Sequence, residues 1–266
     1  AQVRFRARDA PYRARVKHTL FNRPRGTFLP HVPQGQVFLF SLTKAFMKGK
    51  VLLSSAYLAP VQYYSKMLLY PEVLVEQHDH YMKQTYRNRC VIATQAGTQA
   101  LTVPVELDGK PKTFMRDVRI SSHGAWQHLH WLSLVSAYEN SPFFEYYADD
   151  FRPFYERKFD FLIDFNEQLC DTVCRLLGLD VNMARTSDYA DAAALGADDF
   201  RDTIHPKRAF DSDAAFRVQP YYQVFAARNG FRPNLSIADL LFNEGPEALI
   251  VLQKSICSDA APAMGV

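Results

Sequence analysis

The sequence predicts an α/β or α+β fold whose mixed sheet has a parallel β-α-β start, a central hairpin and a helical C-terminal half. Two apolar runs of strand length, residues 51–58 and 72–76, flank a stretch with helical apolar spacing at residues 61–70. Strands joined by a crossover helix lie parallel, so these runs predict the β-α-β unit. Helical patterns dominate from Trp126 onwards.

The central hairpin is predicted from two β-rich runs, residues 90–94 and 101–107, separated by the turn-like residues 95–99. Asp108-Gly109-Lys110 indicates a tight turn, and residues 118–121 a further strand. The helical half is predicted as helices at residues 126–140, 142–147, 159–177, 219–227, 236–242 and 247–254. Residues 186–215 are rich in Asp and Ala without a period, which predicts a long surface loop.

The chain of 266 residues, 48% of them hydrophobic, is long enough to bury a large core. No apolar run approaches the roughly 20 residues of a membrane span, and no apolar signal segment opens the sequence. We therefore expect a cytoplasmic protein without a transmembrane segment. Its predicted parts are a disordered basic arm at residues 1–47, one domain at 48–256 and a loose tail at 257–266.

The net charge of +3 combines two opposite parts. Residues 1–50 carry eleven Lys or Arg and one acid, whereas the remaining residues carry 20 bases and 27 acids. The domain itself is therefore acidic, and no nucleic-acid partner is predicted. The basic arm has three open interpretations: an anion-binding arm, a transit-like segment, or residues upstream of a natural start at Met47. We favour the third, because the ordered pattern begins directly after Met47.

Residues 76–90, Glu-Gln-His-Asp-His-Tyr-Met-Lys-Gln-Thr-Tyr-Arg-Asn-Arg-Cys, concentrate charged and aromatic side chains directly after a predicted strand. The carboxyl end of a parallel strand is where open α/β sheets bind ligands. This stretch is therefore the predicted site, and the alternative is a solvated loop.

Several ordered motifs resemble one family. They are Ala56-Tyr57, Glu76-Gln77-His78, Tyr86-Arg87-Asn88-Arg89-Cys90, His130-Trp131, Ser141-Pro142-Phe143-Phe144-Glu145-Tyr146-Tyr147, Pro220-Tyr221-Tyr222-Gln223-Val224-Phe225 and Asp239-Leu240-Leu241-Phe242-Asn243-Glu244-Gly245-Pro246. Residues 51–254 resemble the WbqC-like family. The resemblance implies a part in bacterial surface-polysaccharide synthesis, such as that of O-antigen, and no particular reaction.

A thiol mechanism is the first chemical hypothesis. Cys90 follows Arg87 and Arg89, and nearby cations favour the thiolate. With His78 or His130 as the base, such a thiol suits acyl or aminoacyl transfer or amide hydrolysis. The alternative is that Cys90 is a small buried residue opening a strand.

Recognition of an anion is the second hypothesis. Lys83, Arg87 and Arg89 can hold the diphosphate of a nucleotide-sugar, with Tyr81 or Tyr86 stacking on the base. This hypothesis also fits a non-enzymatic protein that binds a nucleotide-sugar or a partner enzyme. There is no Gly-rich phosphate loop in the sequence, which argues against a Walker-type ATPase or an ordinary NAD enzyme.

Zinc is the third hypothesis, with His78, His80, His128 and His130 as candidate ligands. His128 and His130 lie two residues apart on a predicted helix and point to different faces, so no metal is predicted. The identity of any cofactor stays open. The predicted catalytic residues are Cys90, His78 and His130. The predicted substrate-binding residues are Lys83, Tyr86, Arg87, Asn88, Arg89 and Glu244, the last as an orienting acid or base or as a cap.

Overall fold

The computed structural model describes residues 49–107 and 112–257, which belong to the second of the chain's two units, Ser41–Val266. Four predictions fall wholly or mainly outside the described residues: the basic arm at 1–47, the start at Met47, the turn at 108–110 and the tail, of which only Cys257 is described. These stay predictions.

The predicted β-α-β unit is confirmed. Strands β1, Lys50–Ser54, and β2, Glu72–Glu76, are parallel neighbours joined by helix α1, Val61–Leu69. The first strand is shorter than predicted, because the chain has left the sheet by Tyr57, whose N–H donates to the Tyr86 carbonyl at 2.9 Å. All nine residues of α1 are buried, so this helix forms the centre of the core.

Two further parallel strands complete the sheet. β7, Asn182–Arg185, pairs with β2, and β8, Ala197–Asp199, pairs with β1, so the strand order is β7-β2-β1-β8. The surface loop predicted over residues 186–215 is largely irregular and exposed, but it is interrupted by β8, by the helical turn Ala192–Leu195 and by the 3-10 turn Phe210–Ser212. The sequence does not reveal β8, because this short edge strand is mostly polar and shows no apolar alternation.

The central hairpin is confirmed with a shifted second strand. β3, Arg89–Thr94, pairs antiparallel with β4, Gly97–Thr102, rather than with residues 101–107. Thr98, Gln99 and Ala100 of β4 are exposed, so this strand carries little apolar signal. A second antiparallel pair joins β5, Val105–Glu106, to β6, Arg119–Ile120, which confirms the predicted strand near residue 120.

The helices follow the strands. They are α2 at Trp126–Tyr138, α3 at Phe144–Glu156, α4 at Leu162–Leu177, α5 at Ala192–Leu195, α6 at Ala226–Asn229, α7 at Ile237–Glu244 and α8 at Ala248–Lys254, with 3-10 turns at Met115–Asp117, Phe210–Ser212 and Gly245–Glu247. Gly178 ends α4 in the left-handed conformation, and Ser236 caps α7 by accepting from the Ala238 N–H, both as predicted.

The predicted helix over residues 219–227 is wrong. Only its last two residues are helical, in the single turn Ala226–Asn229. Tyr221 and Gln223 instead donate to the buried Asp239 carboxylate at 2.7 and 2.9 Å, and these long-range bonds hold the segment extended. Within the described part of the chain, no helix is long and apolar enough to cross a membrane.

Candidate functional site

A narrow polar pocket lies at the carboxyl ends of β1 and β8. The sheet runs from β1 to β2 and β7 in one direction and to β8 in the other, so the strand order reverses between β1 and β8. Ligands of open α/β sheets bind at such a reversal. Ser54 and Ser55 line the pocket from the β1 side and Phe200 and Arg201 from the β8 side.

The third wall of the pocket comes from the predicted charged stretch. Thr85, Tyr86 and Arg87 line it, and Asn166 of α4 holds that wall in place. The Asn166 amide donates to Ser55 Oγ at 3.0 Å and to the Arg87 carbonyl at 2.8 Å. The free volume is about 10 Å³, close to the smallest that holds one water molecule, so the pocket accepts at most a single oxygen-sized group.

Arg87 is the most deeply buried cation at this pocket. Its side chain is only 4% exposed and forms an ion pair through Nη2 with Asp79. Its Nε is buried without a hydrogen-bond partner among the described residues. Burial raises the pKa of the Asp79 carboxyl, and the adjacent Arg87 guanidinium opposes this shift.

Arg201 is held by two carboxylates. It lies 3.0 Å from Glu76, which is fully buried, and 2.7 Å from Asp199. Glu76 accepts three more hydrogen bonds, from the His78 N–H, Thr186 Oγ1 and the Ala190 N–H. This network fixes the loops that follow β2, β7 and β8.

His78 lies beside this network rather than in the pocket wall. Its Nδ1 is 3.0 Å from Arg116 Nη1. A guanidinium can only donate, so Nδ1 accepts and the imidazole proton is on Nε2. Lys83, from the same stretch, is exposed and does not line the pocket.

Cys90 and His130 lie in the interior, in one cluster with Tyr57 and Tyr155. Cys90 is fully buried, and this burial raises the pKa of its thiol above the ordinary range. The Tyr57 hydroxyl lies 3.0 Å from His130 Nδ1 and 2.9 Å from the Tyr155 hydroxyl. Burial lowers the pKa of His130 to about 4, so its imidazole is neutral at pH 7. A fully buried, protonated thiol favours a core role for Cys90 over a nucleophilic one.

The other predicted binding residues have different surroundings. Asn88 donates to the Val103 carbonyl at 2.8 Å and so anchors the start of β3. Arg89 is the first residue of β3 and is half-buried, with a buried Nε that has no hydrogen-bond partner within residues 49–107 and 112–257. Glu244 accepts from the Tyr222 N–H at 2.7 Å at the end of α7, which places it in the packing of residues 220–223.

The four histidines considered as zinc ligands form no metal-binding group in the part of the chain that the structure describes. His128 is exposed on α2 whereas His130 is buried, as the helical spacing predicts. Among residues 49–107 and 112–257, no three His, Cys, Asp or Glu side chains are arranged to hold a metal ion.

A larger cavity of about 370 Å³ lies at the opposite edge of the sheet. Its lining includes Arg175 and Gly178 at the end of α4 and Val181 and Met183 at the start of β7. It contains none of the predicted site residues and lies away from the carboxyl ends of the strands. We therefore regard the smaller pocket as the candidate site.

Sequence reasoning missed Arg201, Asn166, Glu76 and Asp79 as parts of the site. Glu76 and Asp79 belong to the stretch that the sequence predicts as the site, but neither is among the predicted substrate-binding residues. Arg201 follows a strand that the sequence did not reveal, and Asn166 resembles any polar residue on a helix. Of the predicted substrate-binding residues, only Tyr86 and Arg87 line the pocket, and the concentration of charged and aromatic residues at 76–90 was the signal for both.

Fold and site together define an α/β protein with a parallel sheet and an arginine-lined pocket at its strand reversal. The sequence pattern of the WbqC-like protein family matches residues 55–251, and the chain belongs to this family. A relative is the uncharacterized protein Rv1507c of Mycobacterium tuberculosis, 28% identical over 227 residues, which cover 76% of this chain and 96% of the relative. No solved structure is significantly similar to the chain.

Proposed function

We propose that this protein binds an anionic sugar intermediate of bacterial surface-polysaccharide synthesis at the pocket between β1 and β8. The observation that carries the proposal is Arg87, a cation with 4% exposure on the pocket wall whose Nε has no partner in the described structure. A buried polar group without a partner costs free energy that a ligand oxygen can recover. The polysaccharide context comes from membership of the WbqC-like family.

The ligand group that fits this pocket is a phosphate or carboxylate oxygen. The free volume of about 10 Å³ holds one oxygen-sized group, with the rest of the ligand at the open edge of the sheet. Guanidinium groups bind such oxygens with short, charge-assisted hydrogen bonds. Because Asp79 and Glu76 already pair with Arg87 and Arg201, the ligand adds to these pairs rather than replacing a missing counter-ion.

A direct test is isothermal titration calorimetry with glucose 1-phosphate, glucuronate and glucose. We expect both anions to bind and neutral glucose to bind at least tenfold more weakly. The double variant Arg87→Gln with Asp79→Asn removes a cation and its buried partner together, so no unpaired charge remains. It should lose at least tenfold in affinity for the anions.

Arg175→Gln is the matched control, since Arg175 is 62% exposed and lies at the opposite edge of the sheet. It should bind like the natural sequence. Equal binding of glucose and the two anions, or full binding by the double variant, would refute the proposed function.

The second candidate function is thiol-dependent acyl or aminoacyl transfer by Cys90. The observation in its favour is that Cys90 interacts with Tyr57, whose hydroxyl lies 3.0 Å from His130 Nδ1. The burial of Cys90 argues against it. This function requires that Cys90 become acylated. Incubation with acyl thioesters, followed by measurement of the intact mass, tests whether the protein gains an acyl group.

A further inference from the structure

The rings of His80 and Phe114 stack on each other and are exposed. They lie on segments that adjoin Asp79, the ion-pair partner of Arg87. Phe114 is 39% exposed, and its ring stacks on that of the exposed His80, with centroids 4.9 Å apart and planes at 22°. Single exposed rings are common on protein surfaces, so the exposure alone decides nothing. Three further observations give this ring pair a role.

The backbone holds the rings rigidly. Residues 77–81 run antiparallel to residues 113–116, and His80 bridges Phe114. The Tyr81 N–H donates to the Thr113 carbonyl at 2.8 Å, and the Met115 N–H donates to the Asp79 carbonyl at 2.9 Å. A surface that is already ordered loses little entropy when a planar ligand stacks on it.

A cation lies over the Phe114 ring. The Arg116 guanidinium carbon lies 5.3 Å from the Phe114 ring centroid, and its Nη1 is bound to His78. The side chain is 44% exposed, and Asp117 lies 3.7 Å from its Nε. Its remaining donors are therefore open to an anion that approaches along the ring face.

The ring pair is continuous with the pocket through one residue. The Asp79 side chain pairs with Arg87 in the pocket wall, while its backbone carbonyl binds Met115, the residue after Phe114. An aromatic surface with an exposed guanidinium is thus linked through Asp79 to the buried guanidinium of the pocket. A nucleoside diphosphate sugar likewise carries a planar base and an anionic diphosphate in one molecule.

We infer that the anionic ligand is a nucleoside diphosphate sugar whose base stacks on the exposed rings of Phe114 and His80 and whose diphosphate meets Arg116 and places one oxygen in the pocket beside Arg87. This inference rests on the proposed function and names its substrate class. It assigns base stacking to Phe114 and His80 in place of Tyr81 and Tyr86, which are half-buried. Every nucleobase has a flat face, so the stack itself binds bases of any kind.

The test compares ligands with and without a base. Calorimetry on the full chain uses UDP-glucose, UDP, GDP and glucose 1-phosphate, with saturation-transfer NMR to detect contact with the base protons. We expect UDP-glucose to bind at least tenfold more tightly than glucose 1-phosphate. Phe114→Leu keeps an apolar side chain but removes the ring, and it should weaken UDP and UDP-glucose about 5- to 150-fold, the range of one base–aromatic stack.

Phe114→Leu should leave glucose 1-phosphate binding unchanged, and this result separates the inference from the proposed function. The control Tyr146→Leu, on α3 with 77% exposure, should change neither ligand. Equal affinity of the natural chain for glucose 1-phosphate and UDP-glucose, or full UDP binding by Phe114→Leu, overturns the nucleotide inference while the proposed function stands. If the natural chain binds none of the sugar phosphates, both fail.

Discussion

Arg201 and Glu76 form an ion pair at 3.0 Å although their strands, β8 and β2, are not neighbours. Strand β1 lies between them, so the pair crosses over the carboxyl end of β1 where the candidate pocket opens. Glu76 is fully buried and accepts hydrogen bonds from four groups on three loops. One carboxylate therefore ties together the loops that surround the site.

Replacing Glu76 by Gln should strongly destabilise the protein. The amide leaves the Arg201 guanidinium without its buried counter-charge and turns one acceptor into a donor that faces other donors. Loss of one member of a buried ion pair costs about 3–5 kcal/mol in the free energy of unfolding. Urea denaturation of both proteins measures the difference.

Glu156→Gln is the control for this substitution. Glu156 pairs with Arg152 on the exposed face of α3, where water screens the charges, so its stability should match that of the natural chain. If Glu76→Gln were no less stable than Glu156→Gln, the buried network would not be what holds the loops.

The β-α-β unit could be predicted from the sequence because two short apolar runs and one helical period are local signals. The edge strands could not. β8 has three residues, two of them aspartates, and its place beside β1 depends on backbone pairing with a strand nearly 150 positions earlier. For the same reason the sequence predicts Arg87 but not Arg201 as a site residue. Arg87 lies in the charged stretch at residues 76–90, whereas Arg201 reaches the site only because β8 pairs with β1.

Residues 220–223 show a second limit of sequence reasoning. Their apolar spacing favours a helix, but Tyr221 and Gln223 bind the buried Asp239 from a distant helix. A buried carboxylate needs such donors, and this requirement outweighs the local preference.

His130 should make the protein sensitive to acid. Its folded-state pKa is about 4 because of burial, against about 6.5 in the unfolded chain, so between these values only the unfolded state binds the proton. Stability from this group is complete above pH 6.5 and falls as the pH drops towards 4, by about 2 kcal/mol between pH 7 and 5. His130→Gln should remove this loss.

The measurement is the free energy of unfolding at pH 7 and pH 5. His128→Gln, two residues away on the exposed face of α2, is the control and should retain the natural pH dependence. A His130→Gln variant with the same change between the two pH values as the natural chain would contradict the prediction.

Asp239 should have the opposite effect to His130 on how stability changes with pH. Burial raises its pKa to about 6, above its unfolded value of about 3.9, so the folded state binds the proton more tightly. Its contribution to stability is complete below the unfolded value and is lost as the pH rises through 6, a change of about 1 kcal/mol between pH 5 and 7. In the natural chain this partly cancels the effect of His130.

Asp239→Asn should therefore lose more stability on acidification from pH 7 to 5 than the natural chain does. It should also be less stable at both pH values, because an amide cannot accept from Tyr138, Tyr221 and Gln223 as the carboxylate does. Asp149→Asn, on the exposed face of α3, is the control. An unchanged pH slope in Asp239→Asn would show that the carboxyl is ionised across this range.

The thiols should differ sharply in reactivity. Cys90 is fully buried with a raised pKa, and Cys170 and Cys174 are each 7% exposed against Met67, whereas Cys257 is half-buried. Since alkylation requires an accessible thiolate, iodoacetamide at pH 7 should modify Cys257 first and Cys90 only after denaturation. Peptide mass spectrometry at successive times measures each rate, with the urea-unfolded chain as the reference in which all four thiols react.

Rapid modification of Cys90 in the folded protein near pH 6 would mean that its cluster opens to solvent and lowers the thiol pKa. That result would favour acyl transfer over ligand binding as the working function.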